Sequence, residues 1–133
     1  MQEALTALLL GDSGVAALCN NRVHWRLQPA LQKDFPCLSL SLISEPRGYT
    51  LDGEAWIREA RVQVDAWATN YGGAVIVARA VTAALSGYRG EVSGIEIHGL
   101  FADGSRDMDG EIGDRRVFGV SSDYLVKWSD AEG

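Results

Sequence analysis

The sequence predicts an α+β fold: a largely antiparallel sheet of four or five strands packed against one long helix, with short N-terminal helices. Two adjoining stretches carry that reading. In Glu59–Ala68 the small apolar residues Ala60, Val62, Val64 and Ala66 alternate with Glu59, Arg61, Gln63, Asp65 and Trp67, the period of a half-buried strand. Beyond Thr69 and Asn70, whose side-chain oxygens suit a helix start, Ala74, Val77, Ala78, Val81, Ala84, Leu85 and Tyr88 recur at three- and four-residue spacing, the period of an amphipathic helix. Gly87 and Gly90 provide its stop, because glycine enters the left-handed region without a Cβ clash. A third observation is that weaker alternations flank this pair on both sides, so the helix is expected to lie across a sheet.

Taken in order, Gln2–Leu10 with Ala4, Leu5, Leu8 and Leu9 reads as a short helix, and Asp12–Leu18 as a second one begun by an Asp or Ser cap. Arg22, Val23 and His24 fit a brief strand before a loop that holds Pro29 and ends at Pro36. Leu38, Leu40 and Leu42 alternate with Ser39, Ser41 and Ile43, a strand expected to run antiparallel beside the central one. Between them Glu45–Glu54 has turn chemistry in Pro46, Gly48, Asp52 and Gly53. After the helix, Ile95, Ile97 and Phe101 alternate with Glu96, His98 and Leu100, and Phe118, Val120, Tyr124, Val126 and Trp128 keep a period of two. These two runs form a second hairpin, whose Gly- and Asp-rich connection, Asp103–Asp114, is expected to be an exposed, mobile loop.

A chain of 133 residues falls in the range of one domain, 1–133, able to bury one core. No apolar run reaches the roughly 20 residues that span a bilayer, and Glu3 stands where a signal peptide would carry basic residues. The expectation is a protein made in cytoplasm with no membrane partner. Cys19 and Cys37 are expected to be reduced, buried thiols. A net charge of −6 opposes sequence-independent binding to phosphate backbones, which needs clustered Lys and Arg.

Three strings invite a chemical reading and fail it. Gly11-Asp12-Ser13-Gly14 resembles the nucleophile motif of trypsin-like serine proteases, but that motif acts through a histidine base and an oxyanion hole on two β-barrels. Here only His24 and His98 are on hand as bases, and a helix cap explains the string. Asp103, Ser105, Asp107, Asp109 and Glu111 place oxygens at alternate positions, as calcium loops do. Counting from Asp103, however, Met108 stands where an EF-hand needs glycine and Asp114 where it needs glutamate. Gly72-Gly73 lacks the other positions of a phosphate loop. No catalytic residue, cofactor or metal is expected.

The order of several strings resembles a known family. A helical N-terminus, Arg22-Val23, Phe35-Pro36-Cys37-Leu38 and the turn Tyr49-Thr50-Leu51-Asp52-Gly53 come in the order seen in tail completion (tail terminator, head-tail joining) proteins of long-tailed phages. The most specific part is Arg61-Val62-Gln63-Val64-Asp65-Ala66-Trp67, followed by Tyr71 and by a helix closing at Leu85-Ser86-Gly87. The resemblance covers the chain to about Gly90, and the C-terminal hairpin agrees in pattern.

The resemblance implies a structural virion protein rather than an enzyme: a subunit of a ring, typically a hexamer, that terminates the tail tube and joins it to the head. Its implied partners are copies of itself, the tail tube protein and a head-side connector protein, with DNA passing through unbound; its place is the virion tail, after assembly in the host cytoplasm. Interface residues are then sought in the two expected loops, Arg47, Tyr49 and Asp52 in one and Asp103, Asp107 and Asp109 in the other, together with Trp67. Trp67 reads equally as the rim of a second small apolar cluster. The alternatives are a small monomeric binding module and a hydrolase built on Ser13.

Overall fold

The computed structural model describes residues 1–26, 34–45, 49–50, 53–54, 57–112 and 115–130, with 49–50, 53–54, 109–112 and 115 described in backbone only. Helices α1 (Gln2–Gly11) and α2 (Ser13–Cys19) precede strands β1 (Val23–Trp25), β2 (Cys37–Ser44), β3 (Tyr49–Thr50), β4 (Gly53–Glu54) and β5 (Arg58–Ala68). Helix α3 (Tyr71–Leu85) follows, then β6 (Gly90–Val92), β7 (Ile95–Ile112) and β8 (Arg115–Asp130). The main sheet has six strands in the order β1-β2-β5-β8-β7-β6, and β3 and β4 form a separate small hairpin.

Local chemistry sets the helix ends. The Asp12 carboxylate accepts from Val15 N at 2.9 Å and starts α2; the Asn70 side chain accepts from Gly73 N at 2.7 Å and starts α3. Helix α3 buries Ala74, Val77, Val81 and Leu85 against the alternating face of β5, where Ala60, Val62, Val64 and Ala66 are all nearly inaccessible. Ala4, Leu5 and Leu9 of α1 and Val15 and Cys19 of α2 join the same core. The Tyr124 hydroxyl, under α3, meets Thr82 Oγ1 at 2.8 Å, so its polar end is satisfied inside that core.

The sheet corrects the expected architecture. It is a six-stranded, mixed sheet curled into a half-barrel with three short helices, not four or five antiparallel strands on one long helix. Strand β1 runs parallel to β2, and at three residues it is too short to show a period. Strand β6 is equally short and folds back on Ile95–Ile97 through Ser93 and Gly94, both with positive φ. Helix α3, 15 residues long, spans only about 22 Å at the usual rise. It therefore leaves part of the sheet to α1 and α2.

Two further expectations on the C-terminal hairpin change. Asp103–Ile112 is not a loop: β7 continues through it, pairing with β8 as far as Ile112 opposite Arg115, and Gly113 and Asp114 lie outside the described residues. Gly and Asp disfavour strand locally, but a neighbouring strand that offers the hydrogen bonds overrides that preference. The strict alternation also breaks. Ile97 pairs with Trp128 and Gly99 with Lys127, a bulge that inserts one residue and exchanges the faces beyond it. Leu100 is fully buried and Phe101 is 50% exposed, the reverse of the sequence pattern. A second shift lies between Ala102 and Ser105, where Gly104 takes a φ of +120°.

Candidate functional site

The sheet face away from the helices carries an ordered polar lattice across β5, β7 and β8. Arg61 Nη1 donates to Asp103 Oδ2 at 2.6 Å and lies 3.8 Å from Asp123 Oδ2. Arg106 Nη1 approaches Asp123 Oδ2 at 3.7 Å, and Arg106 Nη2 donates to Gln63 Oε1 at 2.9 Å. Gln63 Nε2 in turn donates to both Asp65 oxygens, at 2.9 and 3.1 Å. Partly exposed pairs of this kind contribute little to stability. Their effect is to hold the long hairpin in register on the central strand with charges of both signs facing outward.

Further along the same face the polarity changes. Trp67 is buried with Cys37 and Val117, and Phe35 and Met108 pack onto them. Gly119 makes this possible: a Cβ there would sit 2.9 Å from the Trp67 ring. The Trp67 Nε1 is buried without a described partner. Burial pushes the Cys37 thiol up to about 12, with Cys19 adding to the shift and Arg22 opposing it. Cys19, also buried, is pushed up to about 11. Both cysteines are free.

On the helix side, a groove of about 470 Å³ opens between α3 and the β7/β8 hairpin, with Val75, Ala78, Val120 and Tyr124 among its walls. At its mouth Tyr71 Oη donates to Asp107 Oδ2 at 3.0 Å, and that bond raises the Tyr71 pKa above its ordinary value. Among the described residues no hydrogen bond joins Ser13 to a histidine. Ser13 is the first residue of α2 behind its Asp12 cap, while His98 Nε2 is 2.8 Å from Ser129 Oγ. Among the described residues no group of three or more His, Cys, Asp or Glu could hold a metal ion.

The candidate interface residues are therefore dispersed. Arg47 and Asp52 lie outside the described residues. Tyr49 opens β3, its backbone opposite Glu54. Trp67 belongs to the buried cluster, Asp103 to the polar lattice and Asp107 to the groove mouth. Asp109 is paired in β7 opposite Phe118. The structure adds the exposed Tyr71, Ile76 and Phe101 and the cations Arg61 and Arg106. The bulge hid Phe101, and Arg61 read only as the polar side of an alternating strand.

Residues 3–126 match the family model described as tail completion protein gp17. Among solved structures, the chain is similar to one in the virion of a native gene transfer agent (GTA) particle, with a TM-score of 0.68 and 20% identity. That likeness covers 97% of this chain and 94% of the other, and it is a likeness of fold. No curated protein matches the chain.

Proposed function

From the premise that this chain belongs to the tail completion protein gp17 family, we propose that it is one subunit of a ring, a hexamer, that terminates the tail tube and joins it to the head. The coarser statement follows from the family: this is a structural, non-enzymatic protein of the virion tail, assembled with other tail and head proteins. The single observation behind the finer reading is that the family match runs from the first helix to near the end of β8, taking in the whole sheet and its helices.

The geometry supports it in three ways. A ring subunit meets its neighbours through two different surfaces and the tube and head through two more, so it needs outward-facing elements rather than a cleft. Here the β7/β8 hairpin continues past the last β5 pair, Ala68 opposite Phe118, to Ile112 opposite Arg115. The β3/β4 hairpin is a second element outside the main sheet. An acidic subunit, at −6, also suits a channel through which DNA slides without adhering.

In this reading the Glu45–Glu54 segment, with Arg47, Tyr49 and Asp52, and the hairpin residues Asp103, Asp107 and Asp109 face neighbouring copies, the tube protein or the head-side connector. Replacing Glu45–Glu54 by a short Gly-Ser turn tests this in an assembly assay. The fold should survive, by circular dichroism and thermal melt, while tails and heads accumulate unjoined. Normal yields of infectious particles would overturn the assignment of that segment.

A further inference from the structure

Resting on the ring reading, we infer that neighbouring copies join edge to edge through the main sheet, the β1 edge of one copy meeting the Phe101–Asp107 edge of the next. The sheet order places β1 at one end. At the other end β6 covers β7 only at Ile95–Ile97. The next contact is Gly87 N donating to Leu100 O at 2.8 Å. From Phe101 to Asp107 every residue is exposed, and among the described residues no strand pairs with the outer side of β7 there. An open strand edge is a template for another chain.

The two edges are complementary in chemistry. The stretch from Phe101 to Glu111 holds Asp103, Asp107, Asp109 and Glu111 against Arg106, with Asp103 also paired to Arg61 of β5, whereas Arg22–Arg26 holds two arginines and His24 with no acid. Asp107 is hydrogen-bonded to a neutral phenol, and among the described residues it forms no ion pair, with Arg79 lining the same groove. At the other edge Arg26 is exposed, and among the described residues no carboxylate pairs with it. Each edge also offers an apolar anchor: Phe101 is 50% exposed on one side, Leu42 39% and Leu10 42% on the other, beside the half-buried Trp25.

Two acidic edges facing each other would set like charges in register, which is destabilising. The β7 edge thus selects against a two-fold pair of itself and for the basic edge of another copy. A contact between two different edges, repeated in one direction, generates a ring when the rotation it imposes closes. The curl of the sheet then continues from subunit to subunit.

Arg26→Cys and Asp107→Cys, combined in one chain and treated on assembled tails with a short bismaleimide, test the arrangement. Both positions are exposed, and the native cysteines are buried. The expected result is a ladder of linked multimers from the double variant and monomers from either single variant. Dimers from Asp107→Cys alone would overturn the inference, since like edges would then be meeting. If electron microscopy shows rings at the tube end and the double variant stays monomeric, edge-to-edge joining falls and the ring stands. If there is neither ladder nor ring, both fall.

Discussion

The Tyr71 hydroxyl donates a 3.0 Å hydrogen bond to Asp107 Oδ2, tying the first residue of α3 to the polar half of β7 across the mouth of the groove. The bond to a carboxylate favours the protonated phenol, and it, more than the charge of Asp107 or burial, raises the Tyr71 pKa above the usual value of about 10. By linkage, its stabilising effect is present below about pH 10 and is lost as pH rises through the elevated pKa. Ultraviolet titration should show Tyr71 and the buried Tyr124 ionising late, and Asp107→Asn should return only Tyr71 to the ordinary range. An unchanged titration in that variant would place the two side chains apart in solution.

The exchange of faces at the β7 bulge predicts opposite outcomes for neighbouring residues. Leu100→Asp buries an unpaired charge in a fully inaccessible site and should cost more than about 4 kcal/mol, enough to unfold the domain. Phe101→Asp should change stability by less than about 0.5 kcal/mol, as exposed substitutions do. Equilibrium denaturation of the two variants measures the difference, and the reverse order would restore the uninterrupted alternation.

That pair also marks where the sequence stops being legible. The period of β5 and the spacing of α3 survive intact in the structure because Ala60, Val62, Val64 and Ala66 all face one helix-covered core. The bulge after Ile97 leaves no mark in residue type, so counting by twos put Leu100 on the wrong side. Alternation also placed Trp67 correctly opposite those residues, but not its neighbours: Cys37 and Val117 come from strands remote in sequence. Strands β1 and β6 have no period to read at three residues each. The candidate interface residues other than Trp67 come from two segments of loop-like composition, and in the second of them Asp103–Ile112 is strand.

The Trp67 cluster can be probed from beneath. Gly119→Ala would bring a methyl group to 2.9 Å from the Trp67 ring, and displacing a packed indole should cost about 1–3 kcal/mol. Trp67→Phe in the same background should recover part of the loss, giving a coupling measurable in a double-mutant cycle. Independent effects of the two changes would contradict the contact.

Both thiols should be silent in the native protein. Burial raises Cys19 to about 11 and Cys37 to about 12, so at pH 7 neither supplies the thiolate that reacts. A thiol-specific chromogenic reagent should detect no free thiol until denaturant is added, and then two per chain. Fast labelling of the folded protein at pH 7 would show that one of these sites opens.

The ring itself is tested most directly by reconstructing the head-side end of isolated tails by electron microscopy, with this chain identified by a fused tag. The expected result is a closed ring of identical subunits, six to a ring, seated on the last tier of the tube and lost when the gene is deleted. Tails that end without this chain, or that carry it as a single copy, would contradict it.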